Sequence, residues 1–339
     1  MTWPADGSMA HRALLYTDEP EFRAAVGAFV HEGLDRREPI LAAVPAGQLA
    51  WLRGELGGDV PAVEFADAAR FYRRQGQATR ATLDWLRRHA GDGQRVRVIA
   101  GPAVARRTPA EAADYLRMEA AANVVYQPFP VSVLCPYDVS ALPGDLRPGV
   151  EQTHPELLQG DRVVPSPAFA DPRIFIRDFS AVAPPPLTSA SIGFGRREDL
   201  AGVRRFLRAQ LAQAGFGDKA AALLVAAAAE VVTNALMHGT APRRLWVYTE
   251  GPMLVCHVRD GGPGFADPLA AYLAPDRHAT HGHGLWLGRQ ACDCLEAATD
   301  GTGTHVRLLT RLPAPGPPEA LSWGDGGPPQ GRRESRPLG

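Results

Sequence analysis

Residues 230–287 carry three short signatures in fixed order: EVVTNALMHG (230–239), VRDGGPGF (258–265) and HGHGLWL (281–287). Each sets polar residues or glycines beside an apolar segment that can hold them rigid. Glu230, Asn234 and His238 are spaced i, i+4, i+8, so on a helix they share one stripe at intervals of about 6 Å. The rest of that helix is almost wholly Ala, Val and Leu, and a carboxylate and a carboxamide there are costly to bury without partners. An amide oxygen suits Mg²⁺, which takes hard oxygen ligands together with substrate phosphates. A neighbouring glutamate can take a proton from an incoming hydroxyl or water.

The second signature, Asp260-Gly261-Gly262-Pro263-Gly264, follows directly on a strand-like run. Its carboxylate can accept hydrogen bonds from an exocyclic amine, and Gly262 and Gly264 let the backbone approach a flat ring. The third, Gly282-His283-Gly284-Leu285, opens a predicted helix whose free N–H groups and positive end suit phosphate. Taken singly, each has an ordinary alternative: a solvated helix face, a bend after a strand, a glycine at a helix start.

Helix ExxxN, strand DxGxG, a variable loop and helix GxGL, in this order, resemble the N, G1 and G2 boxes of the GHKL ATPase and kinase superfamily, and Thr304 in GTGTHVRLL matches the threonine on its last strands. The resemblance implies an α+β Bergerat-type ATP-binding sandwich over residues 189–312, binding ATP and Mg²⁺. It assigns Asn234 to Mg²⁺, Glu230 to general base and Asp260 to the adenine amine. Thr304 would help hold the adenine, Gly262 and Gly264 would bend around the nucleotide, and Gly282 and Gly284 would sit on the phosphates, with His283 and Leu285 in the same turn. His238 completes the helix stripe. FADPLAAYLAPDRHAT (265–280) becomes an ATP lid, with Arg277, His278 and His281 as phosphate contacts or free loop residues.

Within the superfamily, DGGPGF and GHGLWLGRQACDCLE most resemble RsbW-type anti-sigma serine/threonine kinases. The implied partners are an anti-sigma factor antagonist or a sigma factor, and a homodimer is compatible with the resemblance. No helical hairpin bearing a phosphoacceptor histidine is legible around His31 or His89. Two other readings stay open: a module that sequesters its partner without catalysis, and a histidine-kinase-like sensor lacking its own phosphoacceptor domain.

Outward from this stretch, the N-terminal half alternates short apolar runs with amphipathic ones, which predicts a mainly parallel α/β sheet. ALLY, PILAAV, RVRVIAG and FPVSVLCPYD read as strands. Thr108 and Glu111 form a capping box with Pro109 at the first helical position. HRALLYTDEPEFRAAVGAFVHEGLDRREPILAAVP (11–45), with CPYD (135–138) and HPELL (154–158), resembles the MEDS sensory domain. That resemblance implies a RecA-like fold with a degenerate P-loop over residues 1–162, and a small-molecule signal. Lys219 is the only lysine of the chain, so a Walker A motif, which needs a lysine on the phosphates, is excluded. His11, Tyr16, Glu32, Cys135, Tyr137, Asp138 and His154 are the conspicuous polar residues here, and Cys135 is read at the C-terminal end of its strand, where α/β sheets bind ligands.

Residues 163–188 are proline-rich and read as a linker, within which IFIRDF has the pattern of a short strand. Residues 313–339 are too rich in proline and glycine to pack and read as a disordered tail. A net charge of −1 offers no electrostatic footprint for nucleic acid or an anionic membrane. No apolar run of about 20 residues is legible, and the N-terminus lacks a signal-peptide pattern. Four scattered cysteines make no disulfide framework, and Cys292-x-Cys294 has too few companions for a metal. A cytoplasmic protein is the expectation.

Overall fold

The N-terminal half alternates strand and helix, as its periodicity requires: β1 (Ala10–Tyr16), α1 (Glu19–Asp35), β2 (Ile40–Val44), α2 (Ala46–Leu56), β3 (Val63–Asp67), α3 (Ala68–Phe71), α4 (Gln75–His89), β4 (Val96–Ala100), α5 (Pro109–Val125), β5 (Val131–Asp138), α6 (Arg147–Thr153), β6 (Glu156–Gln159) and β7 (Arg162–Pro165). The structure is a computed structural model and describes residues 3, 8–101, 107–180, 182–274 and 283–313. The strands form one sheet in the order β3-β2-β4-β5-β1-β6-β7, parallel throughout except for the final β6–β7 hairpin. β2 and β5 are almost continuously apolar because helices cover both faces.

Local chemistry sets the helix starts. Thr108 accepts from the Glu111 N–H while the Glu111 carboxylate accepts from the Thr108 N–H, with Pro109 next in line. After β1 the chain caps α1 with its own acids. Asp18 accepts from the Glu21 N–H at 2.9 Å and Glu21 accepts from the Thr17 N–H at 2.9 Å. These carboxylates take the N–H groups that an anion would need.

The C-terminal half comprises β8 (Ala190–Gly193), α8 (Leu200–Gln213), α9 (Asp218–His238), β9 (Arg244–Glu250), β10 (Met253–Asp260), α10 (His283–Ala291), β11 (Cys294–Asp300) and β12 (Gly303–Arg311), preceded by α7 (Pro172–Asp178). Its strands form an antiparallel sheet in the order β11-β12-β10-β9-β8. β9 and β10 meet through the tight Gly251-Pro252 turn, with Gly251 at φ 53°. Leu254, Cys256 and Val258 of β10 and Leu308 of β12 share a core with Leu224, Ala228 and Val231 of α9.

Three expectations need correction. IFIRDF lies in a helix, α7, because Asp171 accepts from the Arg173 and Ile174 N–H groups and Pro172 occupies the first turn, while Phe175 and Ile176 are buried. The sheet also runs three residues into the expected linker, since β7 ends at Pro165. Gly217 occupies the N-cap of α9, and Asp218, its first residue, complements the helix dipole. Finally, α9 is long and apolar enough by composition to cross a bilayer, with mean hydropathy 1.8. One face of it fills the core just described, including Val225 and Val232, while Leu223 and Met237 are exposed.

Candidate nucleotide site and its contact with the N-terminal sheet

The three signatures converge. On α9, Glu230 and His238 are exposed and Asn234 is half-buried, all on one stripe. α10 packs across this stripe at Gly284: a Cβ on Gly284 would stand 2.9 Å from the Asn234 amide nitrogen and 3.2 Å from the Glu230 Cβ. A side chain there would fill the space between the helix start and the carboxamide, so glycine is required by close approach. Leu285 and Trp286, next along α10, are buried and anchor it. Gly282 and the side chain of His283 lie outside the described residues, as do Arg277, His278 and His281.

Asp260 ends β10 and is buried, with 6% of its surface exposed. Its carboxylate accepts from the Gly262 N–H at 2.7 Å. The sheet register sets Asp260 directly opposite Thr304, whose hydroxyl donates to the Gly262 carbonyl at 3.2 Å. The α9 terminus closes the other side: the Gly239 Cα would lie 3.0 Å from a Cβ on Gly262. Gly264 has φ 93°, a left-handed conformation, and turns the chain beneath Thr299. Asp260, Gly262 and Thr304 therefore form one hydrogen-bonded unit at the C-terminal end of α9. The bare backbone at Gly262 and Gly284 and the oxygen donors of Glu230 and Asn234 suit a purine nucleotide and a hard divalent cation, which is the donor chemistry those groups need.

The N-terminal sheet domain grips the segments on both sides of this site. Arg289 of α10 is 2% exposed. It donates to Asp114 of α5 at 2.8 Å, to the Leu295 carbonyl at 3.0 Å and to the Ala271 carbonyl at 3.2 Å, and its guanidinium lies 4.0 Å from the Tyr272 ring. The facing Asp114 carboxylate and the Tyr272 ring hold the guanidinium charged against the cost of burial. Around it, Arg74 donates to Asp293 at 2.9 Å, Gln290 donates to the Gly76 carbonyl at 2.9 Å, and Arg117 faces Glu296 at 3.7 Å. Arg173 of α7 meets Asp267 at 3.3 Å. Ala271 and Tyr272 lie in the first half of the expected lid and Arg289 follows it, so one guanidinium ties that half and α10 to α5. Nothing in the sequence pattern singles out Asp114 or Arg289; each reads as an ordinary charge on an amphipathic helix.

In the N-terminal domain, Cys135 lies within β5, opposite Ala13 of β1, rather than at the strand's C-terminal end. It is fully buried with His11 and His154, and Tyr137 shares a 2.5 Å hydroxyl contact with Tyr115. Tyr16 accepts from Gln48 at 3.0 Å, Glu32 pairs with Arg36 at 2.7 Å, and Asp138 caps the following turn through Ser140. These three are accounted for by local structure. Cys292 and Cys294 are both buried free thiols at the α10–β11 junction.

Residues 10–155 match the family model of the MEDS domain, described as MEthanogen/methylotroph, DcmR Sensory domain, and residues 195–310 match that of the Histidine kinase-like ATPase domain. No curated protein matches the chain. Among solved structures, the Acinetobacter baumannii histidine kinase AdeS is similar at 14% identity, over 37% of this chain and 69% of its own, with a TM-score of 0.24.

Proposed function

We propose that this chain, which joins an N-terminal MEDS domain to a C-terminal histidine kinase-like ATPase domain, is an ATP-dependent serine/threonine protein kinase whose output is set by its sensory half. One observation supports this most: Gly284 packs on Asn234 and Glu230 while Asp260, Gly262 and Thr304 lock together at the end of the same helix. ATP, bound with Mg²⁺, would supply the phosphoryl group and the charge neutralisation. Asn234 would hold the cation through its carboxamide oxygen, and Asp260 would accept from the base amine. Glu230, exposed on α9, would take the proton from the acceptor hydroxyl. A groove of about 310 Å³ runs from Glu230 along α9, flanked by Arg204 and Arg208 of α8, and we read it as the path of the acceptor segment.

The acceptor we propose is a serine or threonine on an anti-sigma factor antagonist, by resemblance of DGGPGF and GHGLWLGRQACDCLE to the RsbW-type kinases. We also read the N-terminal sheet as RecA-related with its phosphate cradle lost, since Asp18 and Glu21 cap α1 where phosphate would sit. Signal transmission would run through the Asp114–Arg289 contact. Incubation with ATP, Mg²⁺ and a partner captured from the host tests the reading. Acid-stable phosphate on that partner, lost in Glu230→Gln while ATP binding persists, is the expected result. Phosphate absent from the partner would refute catalysis, and acid-labile phosphate would refute the serine/threonine assignment.

A further inference from the structure

Four side chains from four segments of the MEDS domain meet in its interior: His11 of β1, Glu119 of α5, Cys135 of β5 and His154 just after α6. All four are buried, with exposures of 2%, 8%, 0% and 0%. The imidazole Nε2 of His11 is 3.2 Å from a Glu119 oxygen and 3.4 Å from the Cys135 sulfur. Cys135 is 3.9 Å and the His154 Nε2 3.6 Å from the same Glu119 oxygen. Every pair of these potential ligand atoms lies within 4.8 Å.

Hydrogen bonds behind the rings fix where their protons are. Asn123 turns its amide nitrogen to three backbone carbonyls, those of Glu119, Ala120 and Thr153, so its oxygen must accept from His11 Nδ1, at 3.0 Å. His154 Nδ1 faces the Val150 carbonyl at 2.8 Å, which can only accept. Both rings in their neutral form therefore present a bare Nε2 toward a carboxylate, and lone pairs converge on lone pairs. The Cys135 thiol brings one proton to this group. A protonated His11 paired with Glu119 would account for one ring, yet the Nε2 of His154 still has no hydrogen-bond partner.

We propose that His11, Glu119, Cys135 and His154 form a binding site for a zinc-class divalent transition-metal ion. The donor set, two imidazoles, a thiolate and a carboxylate, is one that Zn²⁺ favours. Tetrahedral ligands on bonds of about 2.0–2.3 Å stand about 3.3–3.8 Å apart, which brackets the observed 3.4 and 3.6 Å and lies within about 0.1 Å of the 3.2 and 3.9 Å separations. Asn123 and the Val150 carbonyl supply the outer contacts that orient metal-binding imidazoles. The thiol proton leaves to solvent as the ion binds. Beside the cluster a cavity of about 40 Å³, bordered by Tyr72, Thr79 and Tyr126, leaves room for a water-sized molecule next to the ion. Glu119 shares α5 with Asp114 and Arg117, so occupancy is coupled through one helix to the contact on the ATPase domain.

The test uses the full chain, stripped with a chelator and titrated with Co²⁺ and then Zn²⁺. One equivalent should bind, with a thiolate-to-cobalt band in the near ultraviolet and tetrahedral bands in the visible. Cys135→Ser should abolish the near-ultraviolet band. Asn123→Ala, which touches no metal, should weaken binding by about 10–100-fold, and His154→Gln should weaken it at least as much. Where a variant fails to fold, alkylation of the wild type decides: Zn²⁺ should protect Cys135 and leave the rate at Cys256 unchanged. Folded wild type that takes up neither ion stoichiometrically, uptake unchanged in both Cys135→Ser and His154→Gln, or no protection of Cys135, overturns the proposal.

Discussion

Replacing Asp114 by Asn should cost more stability than any surface substitution in the chain. The side chain keeps its shape but no longer neutralises Arg289, which is 2% exposed and receives its carboxylate contact from Asp114 at 2.8 Å. Removing one partner of a buried pair costs about 3–5 kcal/mol, because the other charge stays buried without compensation. Arg117, 3.7 Å from Asp114, loses its neighbour too. Arg289→Met in turn forfeits bonds to the Leu295 and Ala271 carbonyls, about 2 kcal/mol for the two. In the double variant no charge is left stranded at Arg289, so its loss should fall short of the sum by about 3–5 kcal/mol, the cost of that stranding. Urea denaturation of wild type, both single variants and the double variant measures this coupling. Because α10 carries Gly284, ATP should also bind Asp114→Asn more weakly than wild type. Additivity within about 0.5 kcal/mol, or a single-variant loss below about 1 kcal/mol, would refute the view that this pair holds the two halves together.

Further outcomes follow from the same structure. Gly76→Ala drives a Cβ into the Arg289 backbone carbonyl and should destabilise the interface by about 1–3 kcal/mol, visible as earlier proteolysis between the domains. Glu230→Gln should lower phosphotransfer by about 10²–10⁴-fold with ATP affinity retained, read from single-turnover transfer alongside calorimetry. His257 is buried beside His305 and Arg307, which with burial pushes its value down to about 3. The unfolded chain takes up this proton near pH 6.5 and the folded chain does not, so stability should fall as pH drops from about 6.5 towards 3. His257→Gln should flatten that slope by about 1.4 kcal/mol per pH unit, measured by urea midpoints across the range.

The convergence of the candidate site was legible because the chemistry it suits needs particular residues at fixed offsets. Glu230, Asn234 and Gly284 stand out on apolar helices, and Asp260 with Gly262 marks a strand end where only bare backbone fits. The parallel sheet was legible from alternating periodicity. Local turn chemistry overrode pattern at residues 172–178, where Asp171 and Pro172 start a helix that apolar alternation reads as a strand. The domain contact was not legible, because Asp114 and Arg289 are 175 positions apart and each looks solvated until the fold buries both. Glu119 was hidden in the same way: one acid on a long helix carries no mark until His11, Cys135 and His154 arrive around it from other segments.

ATP binding to the full chain in the presence of Mg²⁺, compared between wild type and Asp260→Asn by calorimetry, tests the central claim most directly. Saturable binding at one site in the wild type, weakened at least about tenfold (1.4 kcal/mol) in the variant, is the expected result. Absence of binding to the wild type, or equal affinity in the two proteins, would contradict the assignment of Asp260, Gly262 and Thr304 to a nucleotide site.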